Sequence, residues 1–243
     1  MTLEEFFHLH PLAALAFSGG VDSAYLLCAA REAGAKIQPY FLKTPFQPAF
    51  ELKDAQRLAP DLVILEADVL QIPAVAANPP DRCYHCKKAM FGMLQERAAA
   101  DGYPVLLDGT NASDSRADRP GMRVLEEYGV LSPLQLCGLT KSEIRSRSQK
   151  AGLFTWNKPA YACLATRIPA GTSIDHDTLR RVEMAEGALF RLGYTDFRVR
   201  VFHGAARIQL LPEQFPAAQE QYQALYQACL PFFETVLLDL KPR

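Results

Sequence analysis

The chain has 243 residues, 49% of them hydrophobic, which is enough for one large core or two smaller ones. Its 26 basic and 27 acidic side chains leave a formal net charge of −1, whereas a protein that tracks a nucleic-acid backbone carries a basic excess. That balance argues for a small-molecule substrate and against bulk nucleic acid. No apolar run reaches membrane-spanning length, and Met1-Thr2-Leu3-Glu4-Glu5 lacks the basic and apolar regions of a signal peptide, so a soluble, cytoplasmic protein is expected.

Leu12 to Phe17 is an apolar run with the character of a buried parallel strand, and Ala24 to Ala33 has the period of a helix. Between them stands Ser18-Gly19-Gly20-Val21-Asp22-Ser23. A strand, a turn with two glycines and a helix start together make an anion site. The glycines let the backbone approach an oxyanion, the first-turn N–H groups are unpaired, and the helix dipole favours negative charge. No lysine follows the glycines, so this is not the loop that cradles β and γ phosphates in kinases and GTPases. It resembles instead the PP-loop of ATP pyrophosphatases, whose consensus SGGxDS is met at every fixed position. The resemblance implies cleavage of ATP between the α and β phosphates, adenylation of a substrate oxygen and release of pyrophosphate.

Further along, Ile37 to Leu42 and Leu62 to Leu65 are predicted strands, with a helix from about Ala49 to Leu58 between them. A longer helix is predicted over Tyr84 to Ala100, then a strand, Val105 to Leu107, ending in Asp108-Gly109-Thr110-Asn111. Thr140-Lys141-Ser142-Glu143 has the spacing of a capping box, and Gly152 closes the helix that follows. Strands alternating with helices predict an α/β fold, a Rossmann-like, doubly wound parallel sheet with its ligand crevice at the carboxyl ends of the strands. The pattern changes after about Ala170. A charged amphipathic helix over Asp175 to Leu192, strands at Phe197 to Phe202 and Arg207 to Leu211 around a His203–Ala206 turn, a helix from about Glu213 to Ala228 and a strand Thr235 to Leu238 make a small α+β unit. Two domains are expected, 1–170 and 171–243, joined near Ile168-Pro169-Ala170-Gly171.

The six cysteines of a cytosolic chain are not expected to form disulfides. Cys28, Cys137 and Cys229 lie in apolar contexts and are expected in the core. Cys83, Cys86 and Cys163 have polar or proline-bounded contexts. A lone C-x-x-C fits half a zinc site, a redox dithiol or part of an iron–sulfur site. Three cysteines without a fourth suit a 4Fe–4S cluster with one iron open to a small ligand such as hydrosulfide. Zinc plus a free cysteine stands beside it as an even alternative.

In order along the chain come SGGVDS, RCYHCK, LLDGTNASD with RPG shortly after, KPAYACLATR, and an RVR strand leading to His203-Gly204. This series resembles the LarE family across nearly the whole chain. LarE proteins are ATP-dependent sulfur transferases that help to make the nickel-pincer nucleotide. They adenylate a carboxylate of pyridinium-3,5-biscarboxylic acid mononucleotide and convert it to a thiocarboxylate. Members with one cysteine near this position sacrifice its sulfur; members with three bind a 4Fe–4S cluster that carries the sulfide. With Cys163 at the matching site and Cys83 and Cys86 besides, the chain resembles the cluster type.

The resemblance also implies roles. Ser18, Gly19, Gly20, Asp22 and Ser23 would hold the pyrophosphate half of ATP and its Mg²⁺, Gly109 and Thr110 would sit near the α-phosphate or ribose, and Lys87 would neutralise charge developing on the phosphates. Thr166, Arg167, Arg198 and Arg200 resemble the family's site for the substrate phosphate. Arg198 and Arg200 are two apart on one predicted strand, so both project from one face; the bland alternative is the wet face of an edge strand. Glu186 matches an acidic family position and is expected, with Cys163, Asp22 and Lys87, among the catalytic residues, while Asp114 and Arg119 are weaker candidates better explained as solvated loop residues. Expected partners are the nucleotide substrate, ATP, a sulfide donor and further copies of the chain in a homo-oligomer. Competing readings are a tRNA thiolase with an iron–sulfur cluster, which would bind RNA with strong salt dependence, and a non-catalytic adenine-nucleotide-binding module, which would bind ATP without releasing pyrophosphate.

Overall fold

The computed structural model describes residues 1–114 and 121–243, so the expectation for Arg119 lies outside the described residues. In chain order the elements are α1 (Leu3–Leu9), β1 (Leu12–Ala16), α2 (Val21–Glu32), β2 (Lys36–Lys43), α3 (Ala49–Leu58), β3 (Val63–Glu66), α4 (Pro73–Ala76), α5 (Arg82–Ala100) and β4 (Leu106–Leu107). They continue with α6 (Met122–Glu127), α7 (Pro133–Leu136), α8 (Lys141–Lys150), α9 (His176–Arg191), β5 (Arg198–Phe202), β6 (Ala205–Gln209), α10 (Phe215–Glu220), α11 (Tyr222–Cys229) and β7 (Val236–Leu238).

The chain packs as two units. The first comprises Met1–Val69 and Asp81–Lys158; the second comprises Leu70–Pro80 and Pro159–Arg243. The sequence reading drew one boundary between residues 170 and 171 and did not foresee the excursion of 70–80. That excursion is tied down by hydrogen bonds: Asn78 Nδ2 donates to the carbonyls of Pro169 (2.8 Å), Thr172 (3.0 Å) and Ile168 (3.4 Å). Gly171 N–H donates to Asn78 O, and Ile174 N–H donates to Ala76 O. Because residues 168–174 bond to this segment, they belong with the second unit.

In the first unit the sheet is wholly parallel, in the order β3-β2-β1-β4. Alternation along β1 sends Ala13 and Leu15 into a cluster with Leu26, Leu27 and Ile144 of α2 and α8, and Ala14 into a cluster with Phe91 and Leu94 of α5. Helices therefore cover both faces, as a doubly wound sheet requires. The strand order reverses between β1 and β4, which places the loops after these two strands side by side at the carboxyl edge, where such sheets bind ligands. The capping box Thr140–Glu143 forms as read. So does one that was not read: Thr2 and Glu5 cap the unforeseen α1. Cys28, expected in the core, is half-buried, and its thiol donates to Glu32 one turn on at 3.5 Å. Cys137 is likewise only partly buried against the core.

In the second unit β5, β6 and β7 form a sheet in that order, with β5 and β6 antiparallel. The hairpin turn is tighter than expected, just His203 (φ +49°) and Gly204 (φ +83°), and the left-handed pair matches the twist of the strands. One sheet face carries Val199, Ala206 and Ile208 into a core with Leu179, Val182 and Leu189 of α9; all are buried. The single helix predicted over Glu213 to Ala228 is broken at Gln221, whose φ of −104° leaves helical geometry, and divides into α10 and α11. Cys229 is fully buried, and burial pushes its thiol up to about 12.

Replacing Asn78, which is buried at φ +54°, with alanine removes the donor shared by three carbonyls and strains the backbone. Asn78→Ala is expected to cost about 2–3 kcal/mol, read as a lower urea midpoint of the whole chain. An unchanged midpoint would mean that the 70–80 segment is held by other contacts.

Candidate functional site

At the carboxyl edge of the parallel sheet a cavity of about 320 Å³ opens between the loops after β1 and β4. Ser18, Asp22 and Ser23 line it from the first loop, Gly109 and Thr110 from the second, and Lys87 from α5. Phe17, Tyr40, Phe41 and Phe91 add an apolar wall suited to a flat ring. Six residues expected to meet a nucleotide thus share one cavity.

Two glycines make the approach possible. Gly19 has φ +69°, and a Cβ there would lie 3.1 Å from the backbone of Ala55 on α3. A Cβ on Gly109 would lie 3.0 Å from the backbone nitrogen of Ser23, so only glycine lets the β4 loop close on the start of α2. Ser18 Oγ accepts from Gly20 N–H (3.3 Å) and lies 3.2 Å from Ser23 Oγ, bracing the loop from within. The N-cap of α2 is Gly20, which has no side chain to satisfy the first-turn N–H groups. On the other side Asp108 is buried; its carboxylate accepts from Thr110 Oγ1 (2.5 Å) and Ser132 Oγ (2.6 Å), fixing the loop after β4.

Asp22 faces Lys141 Nζ at 2.5 Å and accepts a longer bond from Asn111 Nδ2 at 3.4 Å. Burial raises the Asp22 carboxyl above its ordinary range, and Lys141 works against that rise. Lys141 was missed by sequence reasoning, which took the segment only as a helix start; its sequence separation of 119 residues from Asp22 left no local signal. Asp114 also borders the cavity and accepts from Asn111 N–H (3.1 Å), so it braces the loop rather than standing free in solvent.

A second constellation lies in the second unit. Arg167 is fully buried and donates to Glu186 through Nε (2.8 Å) and Nη2 (3.2 Å). Glu186 also accepts from Val199 N–H (2.9 Å) and from the Tyr161 hydroxyl. Burial works against the Arg167 charge, and Glu186 more than offsets it. Burial and Glu186 together push the Tyr161 hydroxyl well up, so that it stays protonated and donates. With both oxygens taken by donors, Glu186 is placed to orient its neighbours. Arg198 donates to the carbonyls of Phe197 (2.6 Å) and Ala160 (2.8 Å); Arg200 donates to Gln209 Oε1 and to Thr166 O, both at 2.5 Å. Burial lowers both arginines, and the nearby Arg167 charge lowers them further. Thr166, Arg167, Arg198 and Arg200 therefore come together, and Arg198 is 4% exposed, which sets aside a wet strand face.

Cys83 and Cys86 sit three apart in the first turn of α5, Cys83 exposed and Cys86 buried with its thiol 3.6 Å from Met90 Sδ. Cys163 is half-buried just before the short turn Leu164–Arg167, where its carbonyl accepts from Thr166 Oγ1 (2.8 Å). The pair lies in the first unit and Cys163 in the second. Among the described residues no group of three His, Cys, Asp or Glu is placed to hold a metal ion. Thiols are the donor chemistry that suits iron. Among the described residues no helix is long and apolar enough to cross a membrane.

The sheet order, the SGGVDS loop at the switch point and the facing Gly109 loop define a Rossmann-like PP-loop protein with a small C-terminal sheet. No family model matches the chain. It is 33% identical over 204 residues to the pyridinium-3,5-bisthiocarboxylic acid mononucleotide synthase of Lactiplantibacillus plantarum, covering 81% of this chain and 73% of that protein. It is also 40% identical over 217 residues to an uncharacterized protein of Synechocystis sp. (87% and 81% of the two chains). A third similar protein, uncharacterized and from Methanocaldococcus jannaschii, is 31% identical over 196 residues (81% and 76%). The chain belongs to the LarE family, that of the pyridinium-3,5-bisthiocarboxylic acid mononucleotide synthases.

The raised Asp22 carboxyl has a consequence for stability. The folded state holds this proton more tightly than the unfolded state, whose carboxyl titrates near 3.8, so ionising Asp22 costs stability as pH rises through the folded value. Asp22→Asn should therefore unfold at higher urea than the parent at pH 7, with the gap closing as pH falls toward 4. Equal midpoints at pH 7 would show that Lys141 fully compensates the buried charge.

Proposed function

We propose that the chain is an ATP-dependent sulfur transferase acting on pyridinium-3,5-biscarboxylic acid mononucleotide in nickel-pincer nucleotide biosynthesis. The observation that carries this reading is the convergence of the SGGVDS loop, Gly109, Thr110 and Lys87 on one cavity, in a chain related to a synthase of the bisthiocarboxylic nucleotide. ATP binds with its phosphates against the start of α2, and Asp22, which now faces Lys141, would hold Mg²⁺. A substrate carboxylate oxygen attacks the α-phosphorus, the bond to the β-phosphate oxygen breaks, and pyrophosphate leaves with the electron pair. Lys87 and the first-turn N–H groups meet the charge that develops there. Hydrosulfide then attacks the activated carbonyl carbon; the carbon–oxygen bond to AMP breaks, AMP leaves as the anion, and the sulfur proton passes to solvent. Thr166, Arg198 and Arg200 hold the substrate's own phosphate during both steps, and Arg167, buried against Glu186, positions them.

Cys83, Cys86 and Cys163 would hold a 4Fe–4S cluster, which when bound would supply the hydrosulfide for the second step. The enzyme works in the cytoplasm as a homo-oligomer and draws sulfide from an external donor.

With ATP labelled at the α-phosphate, AMP and pyrophosphate should appear in equal amounts and only in the presence of the mononucleotide, and Lys87→Ala should slow their release by about 100-fold. Substrate-dependent ADP and phosphate would defeat the assignment.

Anaerobic purification should yield iron and acid-labile sulfide, and losing any one of the three cysteines should remove both iron and repeated turnover. A single turnover that strips about 34 Da from Cys163, with activity surviving Cys83→Ala, would point instead to a sacrificed thiol.

A further inference from the structure

The β5–β6 register brings together two arginines that lie seven apart in sequence. Arg200 on β5 stands directly opposite Arg207 on β6, and residues so paired project from the same sheet face. Like charges in this position destabilise a sheet. The Arg207 charge also helps to depress Arg200, after burial and Arg167. Around the hairpin five guanidiniums (Arg167, Arg198, Arg200, Arg207 and Arg243) meet three carboxylates, Glu186, Asp196 and Asp239. Positive charge is in excess there, as the binding of a phosphomonoester requires.

The donors are also unevenly used. Arg167, Arg198 and Arg200 are largely committed to carbonyls and side chains of the protein. Arg207 is not. Its guanidinium lies over the Phe202 ring at 5.0 Å, its Nε is 3.5 Å from Asp239 Oδ2, and that buried nitrogen makes no hydrogen bond among the described residues. The Asp239 carboxylate is engaged instead by Gln209 Nε2 at 2.8 Å. Arg207 is held in place by a ring stack and a neighbouring charge, with its planar fork free to take a bidentate oxyanion.

We propose that Arg207 is a direct ligand of the substrate's phosphomonoester, completing across the hairpin the grip begun by Arg198 and Arg200. This rests on the reading of the second unit as the substrate-phosphate site. It adds a residue outside the RVR and LATR segments, and it explains why the sheet tolerates two facing arginines.

Binding of the pyridinium-3,5-biscarboxylic acid mononucleotide and of its riboside, which lacks only the phosphate, would be measured by calorimetry on the full chain, on Arg207→Ala, on Arg207→Lys and on Arg200→Ala. The parent should prefer the mononucleotide. Arg207→Ala should lose about ten- to a hundredfold in affinity for it and nothing for the riboside, with Arg207→Lys between. In the absence of ligand, Arg207→Ala should melt at or above the temperature of the parent, because a repulsion has been removed. A parent that does not discriminate the two ligands, or an Arg200→Ala variant that binds both as the parent does, would sink the phosphate-site reading itself. A discriminating parent with a weakened Arg200→Ala but an unaffected Arg207→Ala would overturn the role of Arg207 alone. So would a ligand-free Arg207→Ala that melts well below the parent, since Arg207 would then be a strut paired to Asp239.

Discussion

The second unit is arranged around the buried pair of Arg167 and Glu186. Neither side chain reaches solvent, so each charge exists there only because the other does. Removing one partner of such a pair costs about 3–5 kcal/mol, because the survivor stays buried and uncompensated. An apolar pair would fill the same space without that vulnerability, but it could not hold so many neighbours in register. Glu186 fixes the N–H of Val199 on β5 and the hydroxyl of Tyr161; Arg167 fixes the Ala162 carbonyl and the Thr166 hydroxyl. The irregular stretch that carries Cys163 is thereby locked to a helix and a strand. Its backbone has no sheet partner among these bonds, so the ion pair supplies the rigidity that a ladder would otherwise provide.

The first unit solves the opposite problem. There the cavity at the carboxyl edge is shaped by close approaches of the backbone, which side chains brace from within. Gly19 and Gly109 exclude any Cβ from the two points of closest approach, and Asp108 spends its buried carboxylate on Thr110 and Ser132. Lys141 holds Asp22 in readiness at the edge of the cavity. One unit is organised by a buried charge pair and the other by the absence of side chains, and the two modes suit different ligand groups. A polyphosphate is met by N–H groups along a loop, while a terminal phosphomonoester calls for guanidinium forks.

Much of this was legible in the sequence because it is local. The apolar run before SGGVDS and the helix after it needed only neighbouring residues, and α3 was read with its observed ends. The box at Thr140 announced α8. The parallel sheet followed from alternation alone, and the pairing of Arg198 with Arg200 followed from the period of a strand. What stayed hidden is held by partners remote in sequence. Lys141 reaches Asp22 across 119 residues, and Glu186 reaches Arg167 across 19, in each case without a pattern to mark them. The α1 box was present at Thr2 and Glu5 but sits at a chain start, where the following apolar period spans too few residues to be read as a helix. The break at Gln221 is a change of backbone angle that no residue type advertises.

The detour of residues 70–80 bears on how the chain is made. A ribosome delivers Asn78 about 90 residues before the carbonyls of Ile168, Pro169 and Thr172 that its amide will bind. At 5–20 residues per second that interval lasts roughly 5–18 seconds. During it, the strands of the first sheet through β4 have all been synthesised and can pair, while a short apolar segment in their midst must wait uncommitted. Its brevity limits the danger, since the four helical residues that begin at Pro73 offer little surface for mispairing. The second unit thus cannot be born as a contiguous module trailing the first. Its assembly reaches back through finished structure to collect a piece of chain laid down early, so the order of synthesis and the order of packing differ for this part of the protein.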